Sequence, residues 1–354
     1  MSTLLNWLLI AVGICGMFLI LIAPHEGGHF LAAKLFKVRV IEFSVGAGPK
    51  LWSTTRNGTL YALRLLPILG YVRMGGMEAG DFEEANGFHS KHPVKRIAIL
   101  AAGPIANALV AMLLVTGATM TQLNSEPGKI VAVVNGSTAA QAGLVPGDRI
   151  ATVDGKPISS PENIRQDELA AAGHPVIVTG THADGRPFTV QVTPKCADGT
   201  CQMGIYSANI TTPLSAVHDG IVFPWQAFQL IVRGLGAVVT GHVQGGLLGP
   251  QGMTGPIGIA AITADAVNVG PPAYVTLVAL FSVVIGVTNL LPLLALDGGR
   301  IVVAALEWLR RRPFDRNMEL NFQNFGLAAL LVVVAIISFL DIQRLITGTF
   351  TGIH

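Results

Sequence analysis

Two histidines four residues apart, with a glutamate beside the first, form the run His25-Glu-Gly-Gly-His29. On an α-helix residues i and i+4 share a face, so both imidazoles can reach one metal ion. Zinc suits such a pair, and Glu26, projecting beside it, is placed to take a proton from an attacking water. These residue types therefore predict metal-assisted hydrolysis. The run closes an apolar stretch over about residues 4–23. Three ionisable groups at the end of an apolar helix are costly, and a function is the default reason for keeping them. A catalytic zinc takes three protein ligands and leaves one position open. Asp297, near the end of Asn289-Leu-Leu-Pro-Leu-Leu-Ala-Leu-Asp-Gly-Gly299, is the candidate for the third. A carboxylate at that depth needs a partner, which the same metal would supply. The alternative is a capping role for a helix that begins near Arg300.

The elements that must position these residues are apolar. Of 354 residues, 51% are hydrophobic and 12% charged, and the mean hydropathy is +0.57. Soluble proteins carry about 25% charged residues. This composition argues for a bilayer and against a soluble enzyme or a disordered chain. The net charge of +2, with no basic block carrying interleaved aromatics, implies no nucleic-acid partner. Three cysteines exclude a disulfide scaffold.

Four runs are long enough to span a membrane, over about 4–23, 97–117, 272–296 and 325–340. The first has no basic leading segment and no small-residue cleavage site, so it is expected to be retained. Ten Lys and Arg fall within 31–96 and five between the third and fourth runs, while the first seven residues hold none. That bias places both connections in the cytoplasm, and both termini and the polar section 121–216 outside.

In the polar section, alternation over 128–134 predicts a strand, 139–143 a short helix, and 144–150 a turn into a second strand. Val153-Asp-Gly-Lys-Pro-Ile158 predicts a hairpin. A helix over 161–172 and strands over 176–181 and 187–192 follow. The order A-x-x-A-G-L-x-P-G-D-x-I…V-D-G-K-P-I resembles a bacterial PDZ domain over 127–205. Gln202, Met203, Gly204 and Ile205 resemble its carboxylate-binding loop in permuted form, which would bind peptide C-termini as an added strand. The alternative is a β-rich spacer with a closed groove. Cys196 and Cys201 enclose a hairpin tip and can form a disulfide outside the cytoplasm. Cys15 is read as packing. His89 and His92 are read as a solvated loop, and His174, His182, His218 and His242 as surface groups. Residues 221–239, interrupted by Pro224 and Arg233, predict an interfacial amphipathic helix.

Taken together these residues resemble the site-2 protease family of intramembrane zinc metalloproteases, in its bacterial RseP-type layout. The resemblance implies that His25, His29 and Asp297 bind one Zn2+ and that Glu26 is the general base. It implies substrate contacts from Asn289, from Asn107 in Gly103-Pro-Ile-Ala-Asn107, and from a re-entrant β-hairpin. In that hairpin Arg64, Leu65, Leu66, Pro67, Ile68, Leu69, Gly70 and Tyr71 would pair with unwound substrate. Thr254-Gly-Pro-Ile-Gly-Ile259 also resembles the family. Two departures stand out: Leu294 occupies the position of the family's second loop proline, and one PDZ-like section is present where many members carry two.

The expected fold is a polytopic α-helical membrane protein with four transmembrane helices, a membrane-associated β-hairpin and an inserted extracytoplasmic α+β PDZ domain. Its expected boundaries are 1–36 for the first helix with the zinc motif, 37–96 for the cytoplasmic and hairpin region, and 97–120 for the second helix. The PDZ domain follows at 121–210 and a membrane-proximal amphipathic region at 211–271. The third helix with the aspartate takes 272–299, a cytoplasmic connection 300–324, and the fourth helix and tail 325–354. The expected activity is cleavage of a single-pass membrane protein, such as a pre-trimmed anti-sigma factor or a remnant signal peptide, in the bacterial inner membrane near its cytoplasmic side. Alternatives are a non-catalytic PDZ scaffold or chaperone, and a zinc transporter.

Overall fold

The first apolar run does not stop at Pro24. One helix, α1 (Thr3–Leu35), carries it through the His25–His29 motif. An interior proline removes one ladder hydrogen bond, a defect that membrane helices tolerate when neighbouring groups satisfy the backbone. The computed structural model describes residues 3–78, 80–124, 126–134, 136–197, 200–207, 211–241, 254–293 and 295–347. Two units separate, 1–118 with 219–354, and 119–218.

In the first unit α1 leads into two long antiparallel strands, β1 (Val40–Arg56) and β2 (Thr59–Met74). They turn at Asn57-Gly58, both with positive φ as a type I′ turn requires. Each strand bends midway. Residues 40–45 consequently lie between 60–63 and 70–74, with 50–56 outside 59–64. The segment 70–74 is an edge. The base is tied to α1, where Lys34 Nζ donates to Thr59 Oγ1 and Thr59 Oγ1 donates to the Val40 carbonyl, each at 2.8 Å. The hairpin expected over 64–74 is thus the second arm of a longer one.

Next comes α2 (Pro93–Met120). The second unit follows with β3 (Ile130–Val133), α3 (Thr138–Gln141), β4 (Arg149–Val153), β5 (Lys156–Pro157) and α4 (Pro161–Ala171). Then come β6 (Val176–Thr181), β7 (Pro187–Val192), β8 (Lys195–Ala197), β9 (Thr200–Gln202) and β10 (Ile205–Ser207). This order matches the sequence expectation closely, because each element carries its own local signal. Asp154-Gly155, at positive φ, makes the β4–β5 turn. Ser137 caps α3 through a bond from the Ala140 amide, and Ser160 with Pro161 opens α4. The strands pair as β5-β4-β6-β7, β10-β3 and β8-β9. Ile130, Ile150, Val153, Val178, Val192 and Met203 are buried in one core. Cys196 and Cys201 face each other across β8 and β9 and are disulfide-bonded.

The first unit resumes with α5 (Pro213–Val239), α6 (Pro256–Val269), α7 (Pro271–Asn289), α8 (Asp297–Arg310) and α9 (Arg316–Thr347). Among the described residues four helices are long and apolar enough to cross a membrane, α1, α2, α7 and α9. Three expectations change. The third run, expected to 296, ends at Asn289, because Pro292 lacks an N–H and disfavours helical backbone at Leu291. The segment 300–324, expected as a connection, is mostly helix, since α8 begins at Asp297 and α9 already at Arg316. Helix α6, only 14 residues long, was not anticipated. It packs on α1 and α7, and its first amides, Gly255 and Gly258, each donate to the buried Asp341 carboxylate of α9 at 2.9 Å. A carboxylate there also complements the positive end of the α6 dipole.

A buried ionic clasp joins α2, α8 and α9. Glu307 accepts from the Arg96 guanidinium, from Arg316 Nη1 at 2.6 Å and from the Phe314 amide at 2.8 Å. Removing one member of such a cluster leaves the others charged and unpaired, which costs about 3–5 kcal/mol. We therefore expect Glu307→Leu to lower thermal stability in detergent by that order. Arg96→Met with Glu307→Leu should recover much of the loss, which a single-substitution cavity effect would not.

Candidate metal centre

The α-helical spacing of His25 and His29 puts both rings on the inner face of α1, where each is buried. Asp297 reaches the same point from the first turn of α8. His29 Nε2 lies 3.2 Å from His25 Nε2 and 3.1 Å from Asp297 Oδ2, and His25 Nε2 lies 3.3 Å from the same oxygen. Among the described residues these are the His, Cys, Asp or Glu that cluster as a metal-ligand set.

The tautomer of His29 is set from α2. The Ile99 carbonyl can only accept, so His29 Nδ1 donates to it at 2.8 Å. A neutral ring then presents the Nε2 lone pair towards the carboxylate. Acceptors facing one another this closely need a cation or a proton between them. Ligand atoms on a tetrahedral zinc sit about 3.3 Å apart, which matches the three separations. The donor set, two imidazoles and one carboxylate, is also one that catalytic zinc uses. The residues fit the metal, and the Ile99 carbonyl stands where an outer partner would orient His29 towards it.

A cavity of about 340 Å³ opens on these groups. Glu26 lines it, one residue along α1 from His25, together with Asn289, Tyr71 and Arg300. The Asn289 amide nitrogen lies 3.5 Å from His25 Nε2. Two close approaches shape the wall. On the α2 side, a side chain at Gly103 would press into the His29 ring, and one at Gly28 would meet the Ala102 backbone. On the hairpin side, a Cβ at Gly70 would lie 2.6 Å from Ile22 Cγ2 and 2.8 Å from Glu26 Cγ. The edge segment 70–74 therefore runs directly against the helix that carries Glu26.

The other predicted residues divide. Leu69, Gly70 and Tyr71 line the cavity, whereas Arg64, Leu65, Leu66 and Pro67 do not. The side chain of Ile68 lies outside the described residues. Arg64 acts from behind, donating to Ser44 Oγ and Glu42 Oε1 at 2.8 Å and to the Tyr71 hydroxyl at 2.7 Å. Against the opposing effect of its burial, Glu42 is held below the usual carboxylate range by the Tyr71 hydroxyl, which donates to Oε1 at 2.7 Å, and by Arg64. Asn107 is fully buried and does not line the cavity, and its backbone carbonyl accepts from Ser282 Oγ of α7 at 2.9 Å. In the second unit the Met203 amide donates to the buried Glu168 carboxylate at 2.8 Å. Burial pushes Glu168 up from its ordinary value. The amide that resembles a carboxylate-binding group thus already holds a carboxylate of its own chain. Leu294 and His242 lie outside the described residues. Sequence reasoning missed the Ile99 carbonyl, which no side-chain pattern marks, and Arg300, whose spacing of three from Asp297 on a helix could have shown it.

Comparison with known proteins supplies the context. Residues 13–333 match the family described as Peptidase family M50. A protein of Fusobacterium nucleatum, provisionally named a zinc metalloprotease, is 31% identical over 95% of this chain and 98% of its own length. Zinc metalloprotease RasP of Oceanobacillus iheyensis is 26% identical over 93% and 97%. Its namesake in Bacillus licheniformis is 28% identical over 91% and 96%.

The packing of Gly103 against both histidines generates a test that avoids the ligands. Gly103→Ala should weaken zinc retention by about 10- to 100-fold with helical content unchanged. Leu109→Ala, exposed on the same helix, should leave retention intact. Metal content measured after dialysis against a graded chelator distinguishes the two.

Proposed function

The chain belongs to peptidase family M50 and is a zinc-dependent intramembrane protease; on that premise we propose that His25, His29 and Asp297 hold one zinc ion and that Glu26 is the general base. The observation that carries this reading is the mutual approach of two imidazole nitrogens and one carboxylate oxygen within 3.1–3.3 Å. Zinc held there supplies Lewis acidity and brings the ionisation of water towards neutral pH. Glu26 takes the proton of the attacking water and returns it to the leaving amine. Asn289, beside His25, offers its amide to the carbonyl oxygen that gains charge.

The substrate on this reading is a single-pass membrane protein. A helix in lipid hides its peptide bonds in internal hydrogen bonds, so it must unwind before it is cut. The edge segment 70–74 would receive the unwound stretch as an added strand and satisfy its backbone. Arg64, Glu42 and Tyr71 hold that edge in place.

The Lys and Arg bias supports a zinc site near the cytoplasmic side of a bacterial inner membrane, with residues 119–218 outside. A disulfide at Cys196 and Cys201 suits that exterior. Read as a PDZ domain, the outer unit would bind peptide C-termini only when their carboxylate displaces Glu168 from the Met203 amide. A non-catalytic scaffold leaves the metal set and its adjoining glutamate without a use. A transporter would spread its ligands along a path, whereas these gather at one point.

The test is cleavage of a tagged single-pass helix by purified chain in detergent, with zinc counted in the same samples. Glu26→Gln should slow cleavage by roughly 10²–10⁴-fold while zinc per chain stays at the wild-type level. Cleavage at the wild-type rate by this variant would overturn the assignment of Glu26.

A further inference from the structure

A second cavity, also of about 340 Å³, opens beside the Arg96–Glu307–Arg316 clasp and away from the metal ligands. Five cationic side chains line it, Lys91, Arg96, Arg311, Arg312 and Arg316, against the single carboxylate of Glu307. That carboxylate is already committed, with Oε2 bound to Arg96 and Oε1 bound to Arg316 and the Phe314 amide. Among the described residues the side chains of Lys91, Arg311 and Arg312 have no ion-pair or hydrogen-bond partner. Arg96 is 2% exposed, yet its Nε is a buried donor without an acceptor. A cavity lined by five cationic side chains, whose single carboxylate is already bound, calls for an anionic acceptor.

The cavity also has an apolar rim. Trp308 lines it and is 57% exposed, and the next residue of α8, Leu309, is 79% exposed. An exposed Trp beside Lys and Arg is the composition of a membrane–water interface. Nearby His89 adds no charge. Burial, with Arg316 and Arg96 beside it, pushes its imidazole down to about 3, so the neutral ring accepts from Arg96 Nη1 at 2.9 Å.

We propose that this cavity binds a phosphate group, presented by an anionic phospholipid whose acyl chains lie along the exposed apolar face of α8. Guanidinium forks match phosphate oxygens in planar pairs, and basic pockets between membrane helices commonly take acidic headgroups. The same pocket would accept free inorganic phosphate, so the two sources are separated by experiment. The bound headgroup completes the clasp between α2 and α8, the helices that carry Gly103 and Asp297.

The experiment uses the full chain reconstituted in nanodiscs of equal phosphatidylglycerol and phosphatidylcholine, re-extracted in detergent, with retained lipid measured by mass spectrometry. Wild type should retain phosphatidylglycerol selectively. Arg311→Ala with Arg312→Ala, two exposed residues outside the folded core, should lower that selectivity roughly thirtyfold. Lys50→Ala with Arg56→Ala, the same charge loss on the hairpin, should leave it unchanged. In parallel, inorganic phosphate is titrated against chloride at matched ionic strength while thermal unfolding is followed. Stabilisation of wild type but not of the Arg311/Arg312 variant, without lipid retention, would keep the phosphate site and assign it to the soluble ion. Neither response, or equal loss in the hairpin control, would overturn the proposal.

Discussion

The membrane unit brings two imidazole nitrogens and a carboxylate oxygen so close that a cation or a proton must lie between them. Two come from neighbouring turns of α1 and the third from a residue 268 positions away. Holding them at 3.1–3.3 Å takes rigid support on every side. Helix α2 supplies the Ile99 carbonyl that fixes the His29 tautomer and, at Gly103, the room for both rings. Asp297, in the first turn of α8, closes the set.

Support for that arrangement extends well beyond the ligands. Helix α8 is pinned at one end by the site and at the other by Glu307, which accepts bonds from α2 and from the start of α9. Helix α9 in turn caps α6 through Asp341, and α6 packs on α1 and α7. Charge buried in this way adds little net stability, since desolvation offsets most of the attraction. What it does is select one arrangement of helices whose apolar surfaces, facing lipid, would allow several. On the opposite wall of the cavity, Gly70 lets the hairpin edge touch α1 beside Glu26.

Local chemistry was the legible part. The spacing of His25, Glu26 and His29 is a helical repeat, and Asp297 stood out because an apolar neighbourhood leaves a carboxylate few other roles. The order of strands and helices in 119–218 followed from turn and cap residues such as Asp154-Gly155 and Ser160-Pro161. Long-range packing was not legible. Nothing in the alternation of 40–74 indicates that both strands bend, and that bend decides why Leu69 to Tyr71 meet the cavity while Arg64 to Pro67 do not. Helix α6 is too short for a span, and its capping group lies in α9. The bond from the Met203 amide to Glu168 likewise joins residues 35 apart that no motif connects.

The proposed chemistry turns on one metal ion held by two imidazoles and a carboxylate from distant parts of the chain. X-ray absorption at the zinc edge on the purified chain reads that coordination shell. Two imidazole ligands are expected, with nitrogens about 2.0–2.1 Å from the metal, and oxygen ligands at about 2.0–2.2 Å, with no sulfur. Asp297→Ala should alter the oxygen shell and leave the imidazole signal in place. A sulfur-containing shell, or a spectrum without imidazole scattering, would contradict it.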